Sequence, residues 1–199
     1  HFKFSYPFLK AGLPIYIDKP IATSLSELQA LLLNQAYSGQ IFSCSALRYA
    51  PSMNIDSLNR RKIGKITEII GITPKSWERY AIHVIEPALK YLPPTDIDLH
   101  KIKVNHSCGR VDLSASIRHP ELSINFKSMG DDSCPISLKV TGVYGSCFLE
   151  FTDPFDAFKS TLLKFLESIH AGHSCIEEQH YYRAVKIIEM GLTPTPVNG

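Results

Sequence analysis

The distribution of apolar and polar positions divides the chain into two parts with different secondary structure. The first part alternates helix, strand, helix, strand through short loops, an order that predicts a parallel sheet. Its second helix is the clearest element, because Leu25, Leu28, Leu31 and Leu32 fall on one helical face. The predicted elements are a helix over 2–11 that ends at Gly12, a strand over 13–18, a helix from Thr23-Ser24 to Gly39, and a strand over 41–47.

The second part, which begins after Tyr49, has the pattern of an α+β structure. Strand candidates follow one another and are separated by turns at Gly109, Gly130-Asp131-Asp132 and Gly145, as is typical of antiparallel meanders. The predicted elements are a polar helix over 51–63, a strand over 65–73, a long helix over 74–92 with Pro74 in its first turn, strands over 101–107, 110–119, 122–129 and 136–151, and helices over 156–172 and 176–192.

These patterns predict a fold class of α/β followed by α+β. Residues 1–49 begin part-way through a helix–strand repeat, which is what the tail of a doubly wound domain looks like. Residues 50–199 are predicted to form a mostly antiparallel open sheet packed with helices. We therefore expect the boundary between the two units at about residue 50.

Composition and charge narrow the class of protein. The net charge is +2, and the longest basic run is Arg60-Arg61-Lys62, so nucleic-acid binding is disfavoured. No apolar run approaches the roughly 20 residues that a membrane-spanning helix needs. The chain has five cysteines, an odd number, and none of them form a Cys-x-x-Cys motif. This pattern is typical of reduced thiols in a cytoplasmic protein.

The first candidate for chemistry is Asp18-Lys19-Pro20, at the carboxyl end of a predicted parallel strand. Ligands of open α/β sheets bind at that end of the strands. A lysine that emerges from an apolar strand is suited to proton transfer, and Asp18 could hold its ammonium group in place. The alternative is a solvated turn with a proline that starts the next helix.

The second candidate lies in the long helix, where Tyr80, His83 and Glu86 are spaced i, i+3, i+6. This spacing places a hydroxyl, an imidazole and a carboxylate roughly in a row, an arrangement suited to a proton relay. The alternative is a buried, hydrogen-bonded histidine. A separate cluster, the histidines and cysteine of 170–175, fits no familiar zinc spacing, so we predict no metal site.

Five segments, taken in order, resemble the Gfo/Idh/MocA oxidoreductases. Together they span most of the chain and follow the order that the family has. They are FLKAGLPIYIDKPIATSLSELQALL (8–32), IFSCSALRYAP (41–51), GKITEIIG (64–71), ERYAIHVIEPALKYL (78–92) and FKSTLLKFLESIHAG (158–172), which a helix ending at Met190-Gly191 follows.

The resemblance implies an NAD- or NADP-dependent oxidoreductase that acts on a sugar, a sugar derivative or a cyclic polyol. Lys19, in a motif that often has a cis peptide before its proline, would orient the substrate next to the nicotinamide. His83 would be the partner acid or base. Asp18, Pro20 and Arg48 would lie at the cofactor. Residues 1–49 would be the end of the Rossmann domain, and 50–199 the domain for substrate binding and for assembly into a homodimer or homotetramer.

Three departures from the family pattern bear on activity. Asp18 stands where the family usually has Glu, and Arg79 stands where many members have Asp, four residues before the histidine. Tyr80 could then supply a hydroxyl to a Lys19–Tyr80–His83 set. No Gly-x-Gly-x-x-Gly turn occurs in these residues, so we expect most of the dinucleotide-binding half to be missing and this piece alone to be inactive. The alternatives are a non-catalytic binding or dimerisation module and a family member that has lost turnover.

Overall fold

The computed structural model describes residues 1–94, 98–118 and 121–195. Its strands form two sheets, and its helices pack around these sheets. In chain order, the elements are α1 (Phe2–Lys10), β1 (Ile15–Tyr16), α2 (Leu25–Leu33), β2 (Ile41–Phe42), α3 (Ser57–Ile63), β3 (Ile66–Thr73), α4 (Trp77–Tyr80), α5 (Ile82–Leu89), β4 (Leu99–Ser107), β5 (Arg110–Ile117), β6 (Leu122–Ser128), β7 (Ser137–Gly142), β8 (Gly145–Glu150), α6 (Pro154–Ala171) and α7 (Glu178–Leu192). Short 3₁₀ turns occupy Ala46–Arg48 and Pro51–Met53.

The smaller sheet is a parallel pair, as the alternating helices and strands predict. β1 and β2 align Ile15 with Ile41 and Tyr16 with Phe42, and α2 forms the connection between them. α2 begins at a reciprocal cap: the Glu27 N–H donates to Ser24 Oγ, and the Glu27 carboxylate accepts from the Thr23 N–H, each at 3.2 Å. The cap satisfies two backbone donors and fixes where the chain turns from β1 into α2.

The larger sheet has six strands in the order β4-β5-β6-β3-β7-β8. β3 and β6 are parallel, and the other neighbouring strands are antiparallel. Helix α5 lies directly on β3, because a Cβ on Gly71 would come within 2.8 Å of both Val84 and Phe126. The predicted fold class, an α/β tail followed by a mostly antiparallel open sheet with helices, is confirmed.

A buried tryptophan joins the helices that cover this sheet. Trp77 in α4 is 2% exposed and donates from Nε1 to the carbonyl oxygen of Ile188 in α7, at 2.9 Å. Gly191 lies under the indole, and a Cβ there would meet ring atoms at 2.1 to 2.4 Å. The close approach of α7 to α4 therefore depends on glycine at this position.

The long helix predicted to start at Pro74 begins later and is divided. Ser76 is the N-cap of α4, and α5 starts at Ile82, after Ala81. Residues before Ser76 are held outside the helix, because the Lys75 N–H donates to the carbonyl oxygen of Gly130 at 2.7 Å. The prediction of Pro74 in the first helical turn is therefore wrong.

Several other predicted boundaries are also too wide. The strand predicted over 41–47 ends at Phe42, and the helix predicted over 51–63 is a 3₁₀ turn followed by α3, whose N-cap is Asp56. The segment over 136–151 is divided, as the predicted turn at Gly145 indicates, into the hairpin strands β7 and β8. Residue 119, the last of another predicted strand, lies outside the described ranges. None of the helices within these ranges combines the length and apolarity that crossing a bilayer requires.

Substituting Gly191→Ala should lower the free energy of unfolding by about 1–3 kcal/mol, because the added methyl group overlaps the Trp77 ring. Gly145→Ala is the matched control, since a Cβ there has nothing within 4 Å, and it should change stability by no more than about 0.5 kcal/mol. Urea unfolding of both variants measures the difference. Equal stability of the two variants would contradict this account of the packing between α4 and α7.

Candidate active site

Lys19 lies just past the carboxyl end of β1 and points toward helix α4. Its Nζ donates to the carbonyl oxygen of Arg79 at 3.2 Å. The Lys19–Pro20 peptide is cis, as the resemblance implies. Asp18 does not hold this ammonium group: among the described residues Lys19 forms no ion pair, and that part of the prediction is wrong.

Tyr80 lies between two lysines. Lys75 Nζ donates to its hydroxyl oxygen at 2.7 Å, and the Nζ atoms of Lys75 and Lys19 lie 4.6 and 4.9 Å from the ring centroid. The hydrogen bond from Lys75, together with the positive charges of Lys75, Lys19 and Arg79, lowers the pKa of the phenol below its usual value. Tyr80 is therefore a stronger acid than an ordinary tyrosine, and its phenolate is a stabilised base.

Backbone geometry positions Lys75, a residue that the sequence analysis did not single out. Its φ of 62° is in the left-handed region, which costs a non-glycine residue about 1–2 kcal/mol. Paired backbone hydrogen bonds with Gly130, of 2.7 and 3.2 Å, hold it there. The feature of the sequence that could have identified Lys75 is its position, two residues after the end of β3 and five residues before Tyr80.

His83 lies beside Tyr80 but is deeper in the protein. The two rings meet edge to face with centroids 5.3 Å apart, and Ser45 Oγ is 2.7 Å from His83 Nδ1. Burial, followed by the charges of Lys19 and Lys75, lowers the pKa of His83 to about 3. The imidazole is therefore neutral at neutral pH, and Nε2 has no hydrogen-bond partner within the described part of the chain.

Glu86 is connected to this site through Ser45. Its carboxylate is 3% exposed and accepts from the Ser45 N–H at 2.7 Å, while its other oxygen lies 3.7 Å from His180 Nε2. In the predicted row of Tyr80, His83 and Glu86, only Tyr80 and His83 are thus in direct contact. Neither Ser45 nor His180 was predicted to belong to the site. Each comes from a distant part of the chain, and no local sequence spacing indicates its contact with Glu86.

Two cavities meet at Lys19 and Tyr80. The outer cavity, about 580 Å³, is also lined by Asp18, Pro20 and Arg79. The inner cavity, about 280 Å³, is also lined by Asp18 and by His83, with apolar walls that Ile136, Phe151 and Phe158 provide. Small-molecule sites typically combine such apolar walls with a few convergent polar groups.

Arg48 lies apart from these cavities. It lines a third cavity with His180, and its Nη1 lies 2.6 and 2.8 Å from the two ring nitrogens of that histidine. The structure therefore brings together Asp18, Lys19, Pro20, Tyr80 and His83, and it does not bring Arg48 to them. A contact between Arg48 and a cofactor stays a prediction. Within the described ranges, no group of three or more His, Cys, Asp or Glu side chains is arranged to hold a metal ion.

Comparison with solved structures reveals the same fold in several dehydrogenases. A myo-inositol 2-dehydrogenase from Lactobacillus plantarum is 13% identical with a TM-score of 0.73, over 96% of this chain and 74% of that one. A putative myo-inositol dehydrogenase from Sinorhizobium meliloti 1021 is 12% identical with a TM-score of 0.72, over 95% and 73%. GenD2 from gentamicin A biosynthesis, in complex with NAD, is 11% identical with a TM-score of 0.76, over 96% and 72%.

Likeness at such low identity establishes the fold and not the reaction. The chain has the fold of these dehydrogenases over nearly its whole length. No family model matches the sequence, and no curated protein matches it.

The pKa of His83 predicts a pH dependence of stability. Since the folded pKa of about 3 lies below the ordinary 6.5, the unfolded chain binds a proton between these values that the folded chain does not. The free energy of unfolding should therefore fall as pH decreases through this range, by about 1 kcal/mol per pH unit from this group alone.

Urea unfolding at pH 6.5, 6.0 and 5.0 measures this effect. His83→Gln should lose that part of the pH dependence, whereas a control substitution of the exposed His173, His173→Gln, should keep it. Identical pH dependence in the wild type and His83→Gln would contradict a neutral, buried His83.

Proposed function

We propose that this chain is the substrate-binding part of an NAD(P)-dependent oxidoreductase that acts on a CH–OH group of a sugar, sugar derivative or cyclic polyol. The observation that carries the proposal is the convergence of Lys19, Tyr80 and His83 at the junction of two cavities. A reaction of this kind needs one space for the cofactor ring and an adjoining space for the substrate. The likeness of fold to myo-inositol dehydrogenases supports the substrate class.

The outer cavity suits a nicotinamide ring. It is open, large enough for the ring, and bordered by Asp18, Lys19 and Pro20. When bound, the nicotinamide supplies the acceptor or donor of a hydride. The glycine-rich turn that would hold the pyrophosphate is not among these 199 residues, so we assign cofactor affinity to the full-length protein.

Lys19 and Tyr80 are proposed to orient the substrate and to transfer its proton. Lys19 Nζ lies within reach of both cavities and would orient the substrate oxygen. Tyr80 would accept the proton that leaves the substrate hydroxyl during oxidation, or return it during reduction. The ammonium groups of Lys75 and Lys19 stabilise the phenolate that this requires. These positions make Tyr80 a better acid–base group than His83.

His83 is proposed to shape the inner cavity and hold Tyr80 in place. With a pKa of about 3 it is a weak base, but its neutral ring can form a hydrogen bond with a substrate hydroxyl through Nε2. Its orientation is fixed by Ser45 at Nδ1. Arg79 stands where many members of the family that the chain resembles have Asp, and the Lys75–Tyr80 pair offers a different route for the proton.

A second candidate function is a non-catalytic binding or dimerisation module with the same fold. Arg79, which stands where many members of the family that the chain resembles have Asp, favours it. Under this alternative the inner cavity would still bind a carbohydrate-like ligand, but without turnover.

Under either function we propose assembly into a homodimer or homotetramer through the open face of the six-stranded sheet. That face carries half-buried polar side chains, among them the ion pair of Lys127 with Asp112 at 3.0 Å and the hydrogen bond from Asn125 to Asp112. We also propose a cytoplasmic location, on the basis of the cysteine usage. Neither proposal depends on the reaction.

The reaction is tested on the full-length protein by following NADH or NADPH absorbance with myo-inositol and a panel of sugars. Tyr80→Phe should lower kcat by about 10²-fold or more, because it removes the proton acceptor and leaves the ring in place. Lys19→Ala should cause a similar loss.

The matched controls are Tyr144→Phe, at a side chain that is 82% exposed, and Lys62→Ala, at an exposed lysine that lines neither cavity. Both should retain wild-type turnover. Full activity of Tyr80→Phe would refute the role of Tyr80. If the protein binds a ligand but oxidises or reduces no substrate with either NAD or NADP, the binding module is favoured.

A further inference from the structure

The position of the proton on the His83 ring follows from the hydrogen bonds around Ser45. The Ser45 side chain is fully buried. Its Oγ accepts from the Leu47 N–H at 3.2 Å and lies 2.7 Å from His83 Nδ1. A hydroxyl group has one proton to donate, and a buried donor without an acceptor is strongly unfavourable. The acceptor that Ser45 finds therefore determines which ring nitrogen of His83 carries the proton.

His83 Nδ1 is the acceptor for the Ser45 hydroxyl proton. Within the described part of the chain, no other acceptor lies within hydrogen-bond distance of Ser45 Oγ, and the Glu86 carboxylate accepts from the Ser45 backbone N–H instead. If Nδ1 were the donor, the Ser45 proton would have no partner in a position without access to solvent. Burial also keeps the ring neutral, with a pKa of about 3. A neutral imidazole that accepts at Nδ1 carries its proton on Nε2.

The protonated nitrogen, Nε2, opens onto the inner cavity. His83 lines this cavity together with Lys19 and Tyr80. Nε2 has no hydrogen-bond partner among the described residues, yet it is not one of the fully buried polar atoms that lack a partner. It is therefore accessible from the cavity. An N–H donor thus faces the space that we assign to the substrate, beside the ring of Tyr80 at a centroid distance of 5.3 Å.

We propose that Ser45 is a positioning residue that fixes His83 in the Nε2–H tautomer, and that His83 is a hydrogen-bond donor to the substrate oxygen and not a base. With Nδ1 bonded to Ser45 and a proton on Nε2, the ring has no free lone pair for a substrate proton. This departs from the acid or base role that the resemblance implies for His83. The donor role rests on the proposed function, whereas the tautomer is a property of the chain itself.

The donor would stabilise charge without taking part in the transfer of atoms. During oxidation, the substrate hydroxyl loses its proton to Tyr80, and the carbon that bears it loses a hydride to the nicotinamide. His83 neither gains nor loses an atom. A fixed donor in a site with apolar walls stabilises the negative charge that develops on the oxygen during these steps.

Long-range ¹H–¹⁵N NMR spectra of the chain with ¹⁵N-labelled histidine measure the tautomer directly at neutral pH. Protonated and unprotonated ring nitrogens have well-separated shifts, and the His83 signals are those that disappear in His83→Gln. We expect a single neutral form with the proton on Nε2. A proton on Nδ1, or comparable populations of the two tautomers, overturns the proposal.

The substitution Ser45→Ala tests the part that Ser45 plays. Loss of the hydroxyl donor should move the Nδ1 resonance downfield, toward the shift of a nitrogen without a hydrogen bond. Ser146→Ala is the matched control, because Ser146 is exposed on β8, and it should leave the His83 signals unchanged. An unchanged Nδ1 shift in Ser45→Ala overturns the proposal. The signals of the other histidines verify that both variants are folded, and the wild-type spectrum is decisive even without them.

Turnover of the full-length protein separates the donor role from the proposed function. His83→Phe should lower kcat by about 10²-fold or more, because it removes the donor. The shape of the pH profile should stay the same, since Tyr80 and not His83 exchanges the proton. A pH profile that changes shape overturns the donor role. If the wild type turns over no substrate, the proposed function fails, and the NMR spectra still decide the tautomer and the part of Ser45.

Discussion

The candidate site depends on how Ser45 attaches the parallel pair of strands to helix α5. Its backbone N–H donates to the Glu86 carboxylate, and its hydroxyl group meets His83 Nδ1, each at 2.7 Å. Lys19 comes from the strand side of this attachment, and Tyr80 comes from the helix side. A buried carboxylate needs such a partner, because an unpaired buried charge costs several kcal/mol. The contact that stabilises Glu86 thus joins the parts of the chain that carry Lys19 and Tyr80, which are also linked by the hydrogen bond from Lys19 Nζ to the carbonyl oxygen of Arg79.

This attachment also separates two chemically different regions. On one side, Lys19 and Tyr80 line the two cavities that we propose for the cofactor ring and the substrate, and Lys75 is hydrogen-bonded to Tyr80. On the other side, His180 and Arg48 line a third cavity together with Lys90 and Arg183. His83 lines the inner cavity on the first side, and Glu86, three residues later on the same helix, lies 3.7 Å from His180 on the second side. The helix therefore places a histidine beside one region and a buried carboxylate beside the other, and burial is the main reason that the pKa of His83 is low.

The sequence predicted most of the fold, because periodicity and turn residues determine element types locally. The leucines of α2 and the glycine turns of the meander were sufficient for the fold class. Boundaries failed where a distant contact decided them: Gly130 keeps Lys75 out of α4, and Glu86 takes the Ser45 N–H after β2. For the site, Lys19, Tyr80 and His83 were predicted from motif and spacing. Ser45, Lys75 and His180 were missed, since their partners lie elsewhere in the sequence.

The most direct test of the account is the titration of Tyr80, followed by NMR with ¹³C-labelled tyrosine rings. The account predicts that Tyr80 ionises below the ordinary tyrosine pKa of 10.0, and that this pKa rises in Lys75→Gln and in Lys19→Ala. The measurement requires neither a substrate nor a cofactor. A Tyr80 that titrates at or above 10.0, and that is indifferent to both substitutions, would contradict the proposed proton-transfer cluster.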